Sequence, residues 1–464
     1  MAERSPLSPD RFFSAEPAQR KIARQLYDSV LNLPILCPCL KIDAWTKPGQ
    51  DPSAADPCEL LILSDDYFLR HLSSLGIILR QNAPENHGEK ASLHRKIWQA
   101  FADNLFSLRG MPADIWLSEI LFSVFGIKDK LTGKNAQRVY DGVADCLKQP
   151  EFRLSKLLER FNIESIGLLE SPTNPTINLN HPDSGGKIIP CFNPDALFWV
   201  DAPDWCDQID QLAKICQVAI TDYSSFLRAV QKQRLLFKSL GATTIVQSVY
   251  VGVTTPCTCS DLDGIFTRAL HQEAGVDDGR QFSNHLLLEM ASMSIEDNLV
   301  LQLQMIEPGV NAPVFCSTPS SSTTSTELMN STGLKTLLEQ FGHDTRVSLI
   351  LFADEMHRFE GAINLADRFP SIKIGTPRWF FNGLSSIQDY FDACIEAIGI
   401  YKSTGLNNLC GSFLSLPAQH DIWRRSSANW LARLVVYGLL DLDSAYEMTY
   451  AMAYGLAKST YKLH

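Results

Sequence analysis

Short apolar runs alternate with helix-length amphipathic segments along most of this chain. Strands that alternate with helices must be joined by crossovers, and this makes their sheet parallel. Eight strand–helix units predict an α/β fold of the (β/α)8 TIM-barrel type. The eight predicted strands are Pro34–Leu40, Glu164–Leu169, Lys187–Cys191, Thr243–Val249, Leu299–Gln304, Val347–Phe352, Ile372–Gly375 and Gly411–Leu414.

One interval between strands is unusually long. Residues 45–160 separate the first two predicted strands and contain the helical patterns Leu60–Leu75, Leu93–Leu108, Ala113–Phe125 and Ala136–Leu147. In a barrel of this type the loops that follow the strands form the active-site face. We therefore predict one barrel domain over residues 1–464, with residues 45–160 as a helical insertion that caps the pocket.

Charge and hydropathy exclude several classes of function. The net charge of -11 argues against a nucleic-acid surface, because phosphate contacts require clustered Lys and Arg. The polar N-terminus lacks the apolar stretch of a signal peptide, and the chain has no apolar run long enough to span a membrane. We expect a cytoplasmic protein whose 12 cysteines are free thiols.

Several motifs resemble one known family. They are residues 108–126 (LRGMPADIWLSEILFSVFG), 151–162 (EFRLSKLLERFN), 187–198 (KIIPCFNPDALF), 376–381 (TPRWFF) and 413–430 (FLSLPAQHDIWRRSSANW). With these motifs the chain resembles the uronate isomerase family of the amidohydrolase superfamily from about residue 20 onward. The resemblance implies a distorted barrel with a helical insertion, and a metal-dependent isomerisation between an aldose and a ketose.

The first strand departs from the family pattern. Family members carry a His-x-His pair there, whose imidazoles point to one strand face and share a cation. Aligned on Leu40, the two positions fall on Cys37 and Cys39 in this chain. Counted without a gap from Pro34, they fall on Cys39 and Lys41, so neither alignment retains an imidazole.

Later strands depart from the pattern in the same way. Asn and Gln carbonyls are weak ligands without a carboxylate beside them, so we expect no metal ion and no cofactor. The positions that correspond to family metal or substrate ligands hold Val246, Gln247, Gln304, Phe381, Leu409 and Gly411.

These replacements change the substrate that we expect. A uronate buries a carboxylate and many hydroxyls, which is costly without polar partners. We therefore expect a small, mostly hydrophobic substrate, with Gln247, Gln304 and Tyr250 as catalytic hydrogen-bond donors. The predicted substrate-binding side chains are Cys37, Cys39, Asp354, Arg378, Trp379, Phe381, Asn382 and Asn408.

A pericyclic reaction fits such a pocket, because it requires neither a nucleophile nor proton transfer. We expect an intramolecular Diels–Alder cyclisation of the kind found in fungal natural-product biosynthesis, in which the protein holds a flexible substrate in its reactive conformation. A donor to the carbonyl of the dienophile would contribute at most about 3 kcal/mol, by analogy with oxyanion holes.

Two other interpretations stay open. In the first, the chain is a catalytically inactive binding or scaffold protein. In the second, it is a uronate isomerase that uses a different residue set, such as Asp354, His357 and Arg358. His420 and Asp421 match the family but are expected to be structural, at the start of a helix. The family resemblance also implies a homo-oligomer, and we expect neither a nucleic-acid nor a membrane partner.

Overall fold

Seven parallel strands form one curled sheet, in which each strand pairs with the next along the chain. The computed structural model describes residues 7–40, 55–77, 87–174, 187–250, 259–306, 332–353, 356–407 and 413–463. The strands are β1 (Ile35–Leu40), β2 (Ile163–Glu170), β3 (Ile188–Phe192), β4 (Thr244–Tyr250), β5 (Val300–Ile306), β6 (Leu349–Phe352) and β7 (Ile372–Ile374). This architecture confirms the α/β barrel prediction, and each of the first seven predicted strands lies within two residues of an observed one.

The eighth predicted strand is wrong in its described part. Phe413–Ser415 is a 3₁₀ turn that leads directly into a helix, so Leu414 does not belong to a strand. The eighth position beside β7 is taken instead by Ser403, which forms an isolated parallel bridge with Ile374. The apolar pair Phe413-Leu414 was read as the end of a strand, but the Pro at the second position of the helix favours a helix start there.

Helices follow the strands and cover the outside of the sheet. The α-helices are α1 (Pro17–Val30), α2 (Asp66–Ser74), α3 (His87–Asn104), α4 (Pro112–Glu119), α5 (Ala136–Leu147), α6 (Leu154–Arg160), α7 (Asp195–Phe198), α8 (Trp205–Cys216), α9 (Tyr223–Ser239), α10 (Cys259–Leu270), α11 (Val276–Asp297), α12 (Thr332–Phe341), α13 (Met356–Arg368), α14 (Leu384–Asp389), α15 (Glu396–Ile398), α16 (Leu416–Val436), α17 (Leu442–Tyr450) and α18 (Leu456–Thr460). Short π-helical turns occupy Glu59–Leu63, Ile120–Val124, Tyr390–Ile395 and Ala451–Gly455. Further 3₁₀ turns occupy Leu105–Leu108, Pro150–Phe152, Arg378–Asn382 and Ile400–Lys402.

Helices α2 to α6 lie between β1 and β2, in the interval where the sequence predicts an insertion. The division of the chain into one barrel domain with an inserted cap stays a prediction. Among the described residues, no helix combines the length and the apolar character that crossing a membrane requires.

Side-chain alternation divides each strand between two environments. Residues such as Ile245, Leu301 and Leu351 join the large core between the sheet and the helices. Their neighbours in sequence point into the barrel, where they form separate small clusters. The lower cluster contains Leu36, Val300, Ile350, Phe352, Ala457, Tyr461 and Leu463. The upper cluster contains Cys39, Cys191 and Val246, with Leu169 packed against it.

Candidate functional site

The centre of the barrel is lined by thiols. Cys39 of β1 and Cys191 of β3 are buried side by side, and Cys191 Sγ donates to Pro38 O at 3.1 Å. The hydrogen bond with Cys39, together with burial, raises the pKa of the Cys191 thiol well above its usual range. This thiol is therefore protonated at neutral pH, and a protonated thiol is a poor nucleophile.

Cys37 does not share the environment of Cys39. The register between β1 and β2 shifts between Cys37 and Leu40, so the simple two-residue alternation is interrupted at Pro38. As a result Cys37 packs in the large core, whereas Cys39 belongs to the inner cluster with Cys191. The expectation that both thiols lie on one strand face does not hold, because it assumed a regular strand.

A neutral hydrogen-bonded network crosses the barrel beside the thiols. The Tyr461 hydroxyl donates to Gln302 Oε1 at 3.1 Å and accepts from Asn407 Nδ2 at 2.8 Å. Asn407 Oδ1 in turn accepts from the Thr376 backbone amide at 3.0 Å. Burial, with a smaller contribution from Cys39, raises the pKa of Tyr461 well above its usual range, so the phenol stays protonated.

One amide donor in this network has no acceptor. Gln302 is fully buried, and its Nε2 makes no hydrogen bond among the described residues. A buried donor without a partner costs about 1–3 kcal/mol. Gln302 therefore offers a donor to a molecule that enters the barrel.

The carboxyl ends of β4 and β5 carry a second polar group, which we call the rim site: Asp195, Ser248 and Gln304. Ser248 and Gln304 are partners in the register between β4 and β5, and both are half-buried on the inward face. Asp195, the first residue of α7, accepts hydrogen bonds from the Ser248 backbone amide at 2.8 Å and from the Ser248 hydroxyl at 2.7 Å.

Two opposing effects act on the Asp195 carboxyl. Removal from water raises its pKa, and the hydrogen bonds from Ser248 lower it by a smaller amount, so that the pKa lies above its usual value. A carboxyl whose pKa is raised toward neutrality is better suited to proton transfer than an ordinary surface Asp. The rim site thus contains a carboxyl from the start of α7 (Asp195), a hydroxyl from β4 (Ser248) and an amide from β5 (Gln304).

Strand alternation places the predicted catalytic residues Gln247 and Gln304 on opposite sides of the sheet. Gln304 belongs to the rim site. Gln247 lies between inward-facing Val246 and Ser248 in sequence, so its side chain lies on the helix-facing side of β4. It is buried there, and neither amide atom has a partner among the described residues. Tyr250 ends β4, but its side chain lies outside the described residues.

The predicted aromatic residues lie apart from the rim site. Trp379 is buried against Phe359 and Tyr390, at ring-centroid distances of 5.2 and 6.4 Å. Phe381 is half-buried and meets Trp116 of α4 edge-on at 5.9 Å. It therefore joins the end of β7 to the helices between β1 and β2.

Several predicted residues fall outside the described structure. Asp354 and Asn408 are among the residues that the structure does not describe. For Arg378, Asn382, His357 and Arg358 the backbone is described but the side chain is not. Their assignment to substrate binding or catalysis stays a prediction.

His420 and Asp421 serve the packing of α16. Asp421 accepts hydrogen bonds from Tyr27 at 2.5 Å and from Arg425 at 2.8 Å, and it forms an ion pair with Arg11. His420 is buried, and burial lowers its pKa well below the usual range. Both residues lie inside α16 rather than before its start.

The family resemblance implies a metal ion, and the described donors do not fit one. Within the described part of the chain, no group of three or more His, Cys, Asp or Glu side chains is arranged to hold a metal. Cys191 Sγ already donates to Pro38 O at 3.1 Å. The other described inward groups are the single carboxyl of Asp195, the hydroxyl of Ser248 and the amides of Gln302, Gln304 and Asn407, and amides are weak ligands for a divalent ion.

Comparison with known proteins assigns the family. A profile of the glucuronate isomerase family matches residues 17–461. The uronate isomerase of Nostoc punctiforme is 36% identical over 98% of this chain and 98% of its own length. This chain belongs to the uronate isomerase family. The uronate isomerase of Brucella canis is 35% identical over 98% of this chain and 100% of its own.

Solved structures of family members share the fold. The glucuronate isomerase of Caulobacter crescentus superposes with a TM-score of 0.84 at 28% identity, covering 98% of this chain and 97% of its own. The uronate isomerase of Thermotoga maritima gives a TM-score of 0.82 at 19% identity, which shows the fold alone. Membership of an enzyme family is thus established for nearly the whole chain.

The predicted Diels–Alder cyclisation is contradicted by these comparisons. The full-length relatives at 36% and 35% identity are uronate isomerases, and the matching family profile is that of glucuronate isomerase. The prediction depended on the loss of polar ligands at single strand positions. It gave too little weight to polar groups such as Asp195, which other elements bring to the rim site.

Sequence reasoning missed Asp195, Ser248 and Tyr461. Asp195 lies within the family-like stretch 187–198, at the point where β3 gives way to a helix, and this position was the available signal. Tyr461 follows α18, so a strand-by-strand search could not find it. Its contact with Gln302 joins residues 159 positions apart.

Proposed function

We propose that this protein is a uronate isomerase, which interconverts the aldehyde and ketone forms of a hexuronate in the barrel mouth. The observation that carries the proposal is the 36% identity to a uronate isomerase over 98% of both chains. The Asp195 carboxyl of the rim site also supports it, because aldose–ketose isomerisation moves a proton between adjacent carbons and requires an acid–base group.

In this proposal Asp195 is the general base. Its carboxylate takes the proton from C2 of the aldehyde form, the electron pair of the C2–H bond forms the C1–C2 double bond, and the π pair of the C1 carbonyl moves to the oxygen on C1, which gives an enediolate. The same carboxyl then returns the proton to C1, while the proton of the C2 hydroxyl moves to the oxygen on C1. No oxidant or reductant is required, because C1 is reduced while C2 is oxidised within the same molecule.

The amides stabilise the oxygen on which charge develops. Gln304 is the register partner of Ser248, whose hydroxyl donates to the Asp195 carboxylate. Gln302 lies one inward-facing position deeper and holds the unpartnered Nε2 donor. Hydrogen bonds to a developing oxyanion are stronger than those to the ground-state carbonyl, so these donors lower the barrier.

We further propose that the reaction is independent of a bound metal ion. Two observations support this: among the described residues no group of three or more His, Cys, Asp or Glu side chains is arranged to hold a metal, and amides are weak ligands for a divalent cation. The proton transfer by Asp195 and the hydrogen bonds from Gln302 and Gln304 involve only groups of the protein.

The test follows D-glucuronate in D2O by proton NMR. We expect ketose to appear together with exchange of the C2 proton, and both to persist after dialysis against a chelator. Asp195→Asn should lower the rate by about 10²- to 10⁴-fold, because it removes the base. Asp210→Asn, an exposed position on α8, is the matched control and should keep the wild-type rate.

A second candidate is a binding protein without turnover. The observation that favours it is the neutral upper cluster inside the barrel, where Cys39, Cys191 and Val246 pack together with Leu169. This candidate predicts that glucuronate binds without exchange of its C2 proton. Absence of both exchange and ketose would reject the isomerase proposal, and activity that is lost with a stoichiometric metal would reject its metal-independent form.

A further inference from the structure

A cavity of about 480 Å³, which we call the side cavity, is lined by none of the rim-site residues. It is enclosed by the segment before α1, by α4, by α14 with the π turn after it, and by α16. None of the residues that line it belongs to a strand. Its volume falls in the range of about 300–1,000 Å³ that is typical of small-molecule sites.

The walls of this side cavity are mostly apolar. Phe391 and Trp430 stack with their ring centroids 5.5 Å apart and an angle of 19° between the rings. Ile115 of α4 and Ile387 of α14 complete the apolar lining near them. Such a surface favours a flat hydrocarbon body, because aromatic walls pack well against planar groups.

The charged groups in the lining are already paired. Arg433 donates to both carboxylate oxygens of Asp392, with a distance of 3.1 Å for its Nη1. Gln19 and Asn429 bond to each other, since Gln19 Nε2 lies 3.0 Å from Asn429 O. These four residues therefore give the cavity no net charge.

Two other donors are buried and unsatisfied. Ser426 is 4% exposed and Trp430 is 6% exposed, and both line the cavity. Neither Ser426 Oγ nor Trp430 Nε1 has a hydrogen-bond partner among the described residues. The two residues are separated by one helical turn on α16, so they lie on the same face of the helix. Leaving both donors buried without an acceptor is unfavourable.

We propose that the side cavity binds a neutral, mostly apolar molecule, whose carbonyl oxygen accepts hydrogen bonds from Ser426 and Trp430. The apolar walls select the hydrocarbon body, and the two donors select the acceptor oxygen. The paired state of Asp392 and Arg433 disfavours an ionic ligand, because an anion or a cation would disrupt an existing ion pair. This inference is independent of the isomerase activity.

The first experiment uses 2-acetylnaphthalene as the probe and 2-isopropylnaphthalene as its isosteric hydrocarbon control. Binding to the full-length protein is followed by the indole N–H resonances of the 8 tryptophans, with Trp430 assigned from the Trp430→Phe spectrum. We expect a saturable shift of the Trp430 resonance with the ketone, and about fivefold weaker binding of the hydrocarbon. Equal affinities, or no saturable shift, would overturn the proposal.

The second experiment changes the donors. Ser426→Ala and Trp430→Phe should each weaken ketone binding by about fivefold and leave hydrocarbon binding unchanged, since each removes a donor and keeps the wall. Ser427→Ala is the matched control, because Ser427 is buried on the same helix but donates to Trp423 O at 2.8 Å. If all three variants bind the ketone alike, the donors do not form the site. A concentration-dependent dimer that excludes the ketone would make a second copy the occupant and would also refute the inference.

Discussion

Replacement of Ser248 by Ala tests whether the rim site holds a charged carboxylate. The Ser248 hydroxyl donates to Asp195 Oδ2 at 2.7 Å, while the backbone amide that donates to Oδ1 at 2.8 Å remains in the variant. A hydrogen bond to a charged group contributes about 1.5–3 kcal/mol, and one to a neutral group about 0.5–1.5 kcal/mol. The variant should therefore lose roughly 1 kcal/mol more stability when Asp195 is ionised than when it is protonated.

The same difference raises the pKa of Asp195 further in the variant, because the ionised form loses more stabilisation than the protonated form. The pKa of Asp195 in the folded protein is already raised, so the native state binds this proton more tightly than the unfolded chain. Stability from this group is then complete below the pKa of an unfolded Asp, about 3.9, and is lost as the pH rises through the folded pKa. Ser248→Ala should deepen that loss and move it to higher pH.

Urea denaturation of both proteins between pH 4 and pH 8 measures this effect without any substrate. In the Asp195→Asn background the cost of Ser248→Ala should be the same at every pH, because no charge remains to be stabilised. A pH-independent cost in the Asp195 background would refute the reasoning. If the isomerase proposal holds, the acid limb of the kcat/KM profile should shift upward with the same pKa.

Four further outcomes are expected. Asp297→Ala should lower the free energy of unfolding by about 3–5 kcal/mol in urea denaturation, because Arg234 Nε lies 2.7 Å from Asp297 and both side chains are buried. The double variant Arg234→Met with Asp297→Leu should be closer to wild type, because it leaves no unpaired buried charge. Gly167→Ala should lower the free energy of unfolding by about 1–3 kcal/mol in thermal melting, because the added Cβ would collide with Pro38 O and Cys191 Sγ. Gly142→Ala in α5 is the control: the nearest atom to its Cβ is Ile127 Cδ1 at 3.8 Å, so the change should be neutral or stabilising. Below about pH 6.5 the wild type should lose stability because buried His420 resists protonation, and His420→Gln should flatten that dependence in acid titrations followed by circular dichroism. Gln304→Leu should lower kcat for glucuronate by about 10²-fold while its melting temperature stays near that of wild type, and an unchanged kcat would remove Gln304 from the mechanism.

The fold was predictable from the sequence because its signal is repeated. Buried parallel strands such as β5 and β6 are continuous apolar runs, and the helices between them fix the crossover connections. The eighth position was not predictable in this way, because a single bridge at Ser403 leaves no periodic pattern.

The candidate site was less predictable, because each position depends on which way a side chain points. The register shift at Pro38 separates Cys37 from Cys39, and alternation places Gln247 on the opposite side of β4 from Ser248. Both outcomes depend on the paired strand rather than on the local sequence. Asp195 was hidden for another reason, since its carboxylate reaches the inner face from a helix start.

The contact between Tyr461 and Gln302 has a consequence for the order of folding. β5 leaves the ribosome long before residue 461 does, so during synthesis the Gln302 carbonyl has no phenol to accept from. A nascent barrel therefore holds Gln302 without its phenol partner until the turn that carries Tyr461 docks, which favours late closure of the fold.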